Sequence, residues 1–307
     1  MGFSAYHRGA STDRRPSRHR YGDHDHMGFG HLRVLNEDRV ESGTGFGTHP
    51  HREFEIFSYL VDGELEQYVF RLSRLAYRCP YVEQRGCVYS QDSMGNTEVM
   101  RRGDLQMTSA GTGIRHSEKC HGPKQVHFLQ IWAKPSESNL SPKYYTRFVY
   151  PLSSPIPYNP RNLISGHTLT TPRFRSFFRH FSDEDKRDKW AHIVAPVVKD
   201  SQEVVDKREA SGPAPVHAPL DVFATILSPT TSLAHTAKRA NVYAHLIQRS
   251  GYNTGSATGA AVKIDVGGDS VQLREGDGVY ITLTPGAKVE VENVGEKDGE
   301  FLLFDTE

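Results

Sequence analysis

Apolar residues recur along the chain in short bursts that stop at turns. That is the pattern of strands; a helix would carry its apolar stripe through several turns at a period of 3.6. In the first half, LRVLNEDRV (32–40), the run from Glu53 to Val61 and VHFLQIWA (126–133) predict strands. Asp62-Gly63 is a strong hairpin signal, because such a pair adopts the positive φ angles that match strand twist. Arg101-Arg102-Gly103-Asp104 predicts a second turn. In the second half VFATILS, VYAHLIQ, AVKIDV, GVYITL and KVEVENV repeat the pattern, between turns such as Gly267-Gly268 and Glu275-Gly276-Asp277-Gly278. Strand after strand with little helix signal implies a barrel or sandwich in each half, so the expected fold is all-β with a duplicated barrel.

Three segments stand outside this pattern. Residues 1–26 are basic, rich in His and without periodicity. Residues 68–90 interrupt the passage from Glu64-Leu65-Glu66-Gln67 to Asp92-Ser93-Met94-Gly95-Asn96. Residues 148–179 carry prolines at 151, 155, 157, 160 and 172 and no Asp or Glu. Loops this long are uncommon inside a compact domain. The two later segments are therefore read as insertions or retained introns, and a surface insertion is thermodynamically cheap.

Composition narrows the class. A chain of 307 residues has room for two domains with cores of their own, and 27 Gly with 17 Pro suit many turns. The formal net charge is zero, which gives no pull toward nucleic acid or an anionic membrane. No stretch nears the roughly 20 apolar residues of a spanning helix. The N-terminal sequence has no apolar core of the signal-peptide kind. Cys79, Cys87 and Cys120 are too few for a disulfide framework. The expectation is an intracellular protein. Neutrality itself depends on the two later segments, which hold eight Arg against one acidic residue, Glu83.

The candidate chemistry lies in His49-Pro50-His51 and, far downstream, His116-Ser117-Glu118. Residues two apart on a strand face the same side, so each pair projects two donors into one interior. Three imidazoles and one carboxylate suit Fe, Mn, Co, Ni, Cu or Zn better than Ca or Mg. Four protein ligands on an octahedral ion leave two positions for substrate with dioxygen or water. One HxH spacing among 16 His carries little weight. Its pairing with HxE beside Gly45-Phe46-Gly47 and Gly111-Thr112-Gly113 carries more, although those glycines also suit plain barrel corners.

MGFGHLRVLNEDRV (27–40), GFGTHPHREFEI (45–56), DSMGN (92–96), RRGDLQMTSAGTGIRHSE (101–118) and HFLQIWAKP (127–135) resemble the N-terminal signature of the pirin family. HFSDEDKRDKWAHIVAP (180–196), SGYNTGSATGA (250–260) and LLFD (302–305) resemble its second half. The resemblance implies a bicupin, two β-barrel (jelly-roll) domains in tandem, over 27–147 and 180–307. It implies a metal in the first, held by His49, His51, His116 and Glu118. Fe(2+) leads among divalent transition metals. It implies either a quercetin 2,3-dioxygenase acting on flavonol-like substrates with dioxygen, or a non-enzymatic, iron-dependent nuclear transcription co-regulator with a transcription-factor partner. In the first case Glu118 would be the catalytic proton acceptor. A monomer in the cytoplasm or nucleus is expected, with no membrane or direct nucleic-acid contact. Pirins run continuously where 68–90 and 148–179 stand, and they carry a first strand where residues 10–26 diverge.

Other positions have two readings. Glu53 and Glu55 share parity with His49 and His51, so either could orient a ligand imidazole or sit at the rim. Arg52, of opposite parity, is expected at the surface. Phe46 and Met107 could line the mouth or pack in the core. His217, His235 and His245 lack HxH or HxE spacing, which predicts a structural second half without metal. Asp277-Gly278 and Asn253-Thr254-Gly255 are read as turns.

Overall fold

A computed structural model of the chain describes residues 2–6, 28–71, 98–145, 179–197, 212–251 and 259–307. The N-terminal strand is β1 (Gly2–Tyr6). The first half then runs β2 (Leu32–Val40), β3 (Gly45–His51), β4 (Glu55–Asp62), β5 (Glu64–Arg71), β6 (Glu98–Arg101), β7 (Asp104–Ser109), β8 (Ile114–His121) and β9 (Val126–Ala133). Short elements follow: β10 (Lys143–Tyr145), β11 (Arg179–His180), α1 (Asp183–Lys186), β12 (Ala191–Pro196) and β13 (Ala214–Val216). The second half runs β14 (Leu220–Leu227), β15 (Ser232–Thr236), β16 (Asn241–Leu246), β17 (Ala261–Val266), β18 (Asp269–Arg274), β19 (Gly278–Thr282), β20 (Lys288–Asn293) and β21 (Gly299–Thr306). No helix among the described residues is long and apolar enough to cross a membrane.

The fold is all-β, and it is duplicated. In the first half the sheets are β7-β4-β9-β2 and β3-β8-β5-β6; in the second they are β19-β16-β21-β14 and β15-β20-β17-β18. Each strand of the second half stands twelve places after its counterpart, with the same neighbours. These are facing pairs of open sheets; the strands do not close into the barrels expected from the pattern of turns.

Burial explains the two kinds of strand pattern. β20 alternates, with Val289, Val291 and Asn293 inward and Lys288, Glu290 and Glu292 outward, because one face meets water. β4 is buried on both faces and so reads as a nearly continuous apolar run. Phe57, Tyr59 and Val61 join Leu129, Ile131, Val222, Ala224, Leu302 and Phe304 in one cluster between the halves. Leu60 instead packs inside the first half with Leu65, Met100, Val126 and Phe128. The Asp62-Gly63 turn forms as predicted, with Gly63 at φ 76°. A Cβ there would lie 2.5 Å from the Gln125 carbonyl oxygen, so only glycine fits.

The chain crosses between halves at both ends of the first. β1 lies in the segment read as aperiodic, yet it pairs with β19 of the second half, Gly2 opposite Thr282. β11, just before the second half, pairs with β7 of the first. β5 runs on to Arg71, four residues into the segment read as an insertion, with Arg71 opposite Ile114. Residues 72–90 and 148–178 lie outside the described residues.

Buried charges along the seam are paired. Ser182 caps α1 in a capping box with Asp185, and this one turn delivers the fully buried Lys186. Its Nζ donates to Tyr59 Oη at 2.9 Å and Glu300 Oε1 at 3.3 Å. Burial alone would raise the Glu300 carboxyl, but Lys186 and Arg102 hold it below its usual range. On another part of the seam, Glu37 accepts from His127 Nε2 (2.7 Å) and His245 Nε2 (2.9 Å).

Candidate metal centre

β3 and β8 run antiparallel with His49 opposite His116, and a bulge between Phe46 and His49 resets the register. The approach is close: a Cβ on Gly45 would lie 2.1 Å from the Glu118 carbonyl oxygen. The glycine beside the HxH pair therefore serves strand contact, which brings the two ligand pairs together.

One ring nitrogen from each of His49, His51 and His116 lies within 4.8 Å of the other two. His116 Nε2 is 2.9 Å from His51 Nε2 and 2.9 Å from His49 Nε2. Hydrogen bonding alone does not satisfy this arrangement. His49 Nδ1 donates to the Gly47 carbonyl at 2.8 Å, which in the neutral ring leaves its Nε2 a bare lone pair. One proton on His116 Nε2 can serve only one neighbour. A cation at the common point would satisfy all three, and a ligand imidazole anchored through its other nitrogen is the usual supporting arrangement. Burial and the neighbouring imidazoles lower His51 to about 4 and His116 to about 3. Both rings are thus neutral and ready to ligate at ordinary pH.

Glu118 is also buried here, 1% exposed, but its carboxylate is not among the converging atoms. Gln67 Nε2 donates to Oε1 and Gln130 Nε2 to Oε2, each at 2.6 Å. Burial raises its carboxyl to about 7, although hydrogen bonds from Gln67, Gln130 and Ser58 oppose this. Trp132 stands edge-on to His51 with ring centroids 4.8 Å apart and stacks obliquely on Phe54.

Residues 3–68 and 81–133 match the family model named Pirin. Over these residues the N-terminal half is similar to the pirin family. The match begins inside the segment read as divergent, and its one gap falls inside 68–90. The Escherichia coli K12 protein named quercetin 2,3-dioxygenase is 41% identical over 128 residues, covering 41% of this chain and 46% of that protein. A pirin-like protein of Caulobacter vibrioides is 33% identical over 124 residues, 40% of this chain and 44% of that one. The chain thus spans a little under half the length of these curated relatives. Among solved structures, the bacterial pirin YhhW from Escherichia coli in complex with nickel(II) aligns with a TM-score of 0.58 at 23% identity, over 99% of this chain and 91% of that one. A quercetin 2,3-dioxygenase from Acinetobacter baumannii aligns with a TM-score of 0.52 at 16% identity, over 95% and 72%. These two show the fold.

In this half the structure separates the two readings left open for the neighbouring glutamates: Glu53 fits the rim, and Glu55 fits neither reading. Glu53, at φ 59°, accepts from the Asn139 backbone N–H at 2.9 Å. Glu55 faces the other half, where it accepts from the His217 backbone N–H and Nδ1, each at 2.7 Å. Neither is bonded to a ligand imidazole. Met107 is packed in the core between the halves, Phe46 is 41% exposed and Arg52 is exposed. The second-half histidines each take a carboxylate: His217 takes Glu55, His235 takes Asp305 and His245 takes Glu37. Gln67, Gln130 and Trp132 were missed by sequence reasoning. The usable signal was Gln130, a polar residue in the apolar run VHFLQIWA, on the inward parity of Val126 and Phe128.

Proposed function

We propose that His49, His51 and His116 hold one divalent transition metal, Fe(2+) first among them, with Glu118 as a fourth ligand. We propose further that the protein is a dioxygenase acting on flavonol-like substrates such as quercetin. The observation that carries this reading is the convergence of three Nε2 atoms on one point. The names of the curated relatives support the substrate class. When bound, such a metal acts as a Lewis acid toward a substrate hydroxyl and supplies the redox chemistry with dioxygen. The chain's own groups do the rest. Glu118, raised to about 7 by burial, is poised near neutral pH to take the proton of a substrate hydroxyl. Phe54 and Trp132 offer an aromatic wall beside His51 for a planar ring. The buried walls around His116 and Glu118 keep bulk water from the proton-accepting oxygens.

The test is metal quantitation followed by oxygen uptake. Protein loaded anaerobically with Fe(2+) should hold about one equivalent and consume oxygen with quercetin, and His116→Ala should retain under about a tenth of an equivalent. Iron-loaded protein that consumes no oxygen with any of a panel of flavonols would sink the dioxygenase reading. Failure of the wild type to hold metal would sink the site.

A further inference from the structure

Glu118 has both carboxylate oxygens engaged by buried amides. Gln67 on β5 is 3% exposed and Gln130 on β9 is 8% exposed, so little water competes for these bonds. The direction of the Gln130 amide is fixed by its neighbour. Trp132 Nε1 donates to Gln130 Oε1 at 3.2 Å, and an indole N–H can only donate. The Gln130 NH2 must therefore face Glu118. Since Trp132 also stands against His51, a chain of contacts runs from a triad histidine to the carboxylate: His51, Trp132, Gln130, Glu118.

The second half supplies an independent observation. Gln67 pairs with Glu118 as Ile264 pairs with Val291. Ser58 pairs with Gln130 as Ala244 pairs with Leu303. The carboxylate position is thus Val291 in the second half, and the two amide positions are Ile264 and Leu303, all fully buried. Where the carboxylate is absent, both amides are absent too, and the strands pack just as well with aliphatic side chains.

Resting on the metal-centre reading above, we propose that Gln67 and Gln130 are positioning residues that hold Glu118 in reserve beside the three imidazoles. With the amide clamp closed the chain offers the metal three ligands; with it open, Glu118 becomes the fourth. The clamp therefore sets ligand number, and Trp132 sets the clamp. A carboxylate that already accepts two short N–H bonds gains less from the metal than one buried without partners. Removing the amides should drive Glu118 onto the metal.

The test uses Co(II) as the probe on the full chain. Gln67→Leu/Gln130→Leu borrows side chains of the kind the second half carries at these positions. It should bind Co(II) about tenfold more tightly than wild type, a change of the size that outer-shell partners produce. Its visible absorption should weaken toward that of higher coordination. Both changes should disappear when Glu118→Gln is added. Trp132→Phe keeps an aromatic ring, removes the N–H and disturbs packing less; it should move affinity and spectrum the same way by a smaller amount. If the double variant does not fold, Trp132→Phe alone decides. Unchanged or weakened Co(II) binding with an unchanged spectrum would overturn the clamp while leaving the metal centre standing. A wild type that binds no Co(II) would overturn both.

Discussion

The two halves share one strand order and differ in what they place between their sheets. Read through the pairing registers, His116 corresponds to Val289 and Glu118 to Val291. Gln67 corresponds to Ile264, Gln130 to Leu303 and Ser58 to Ala244. His49 corresponds to His235, which instead of facing two imidazoles gives its Nε2 to Asp305 at 2.9 Å. Asp305 stands where the first half has Trp132. The same frame therefore carries a polar interior in one half and an aliphatic one in the other. The difference teaches what the frame needs. Its strands pack well with Val, Ile and Leu alone, so the buried imidazoles, amides and carboxylate are not demanded by folding. A buried polar group costs free energy unless it is partnered, and His116 Nδ1 has no partner among the described residues. The proposed metal centre accounts for why the first half carries that burden.

The largest effect belongs to the aliphatic half. Phe301, fully buried among Leu303, Val262 and Val291, should cost about 3–5 kcal/mol when replaced by Ala. Metal per folded molecule should not change. Urea unfolding with metal quantitation checks both, and loss of metal from protein that is still folded would break the division of labour. The next effect, about 3 kcal/mol, is acid sensitivity of the metal-free first half. Burial and the neighbouring imidazoles hold His51 near 4 and His116 near 3 in the folded chain, below the ordinary 6.5 of a free imidazole. Between pH 6.5 and 4 the unfolded chain thus binds protons that the folded one does not, and stability falls as pH falls. Glu118, raised from 4.5 to about 7, runs the other way over that window and trims the net loss. His116→Val, the second half's residue at this position, should flatten the curve of urea midpoint against pH. An equally steep curve in that variant would remove His116 as the cause.

Much of this contrast was legible in the alternation of the strands, and some of it was not. HxH and HxE carried the triad because strand parity is local: two residues on one strand face one side whatever the rest of the chain does. The duplication showed in the spacing of turns. What failed was parity applied past a strand's end. Glu53 and Glu55 share parity with His51 in sequence, but Glu53 sits at positive φ. The chain bends there, so β4 presents Glu55 to the other half. Its partner His217 is 162 residues away, and no local pattern encodes such a contact. β1 was missed for the same reason, since a strand of GFSAY is defined by its partner β19 more than by its own alternation. Gln67 was passed over because it stood at the edge of an apparent interruption, while β5 in fact continues past it.

The smallest expected effect lies around Asp221 in the second half, where charge is plentiful and redundant. Asp221, with its side chain 2% exposed, is met by Lys238 Nζ at 3.0 Å and by Arg239. His192 Nε2 lies 2.8 Å away, though poorly aligned for a hydrogen bond. Burial would raise the Asp221 carboxyl, yet His192, Arg239 and Lys238 together hold it well below its usual range. Lys238 is the most exposed of these three basic side chains, at 55%, so water screens its pairing and it gives up rotamer freedom to make it. Arg239, with only 14% of its side chain exposed, keeps Asp221 partnered when Lys238 is gone. Lys238→Ala should therefore change the unfolding free energy by no more than about 0.5 kcal/mol. A loss above about 1.5 kcal/mol in urea denaturation would mean that this charged cluster is as tightly specified as the imidazole triad, and the contrast between a demanding first half and a tolerant second half would have to be redrawn.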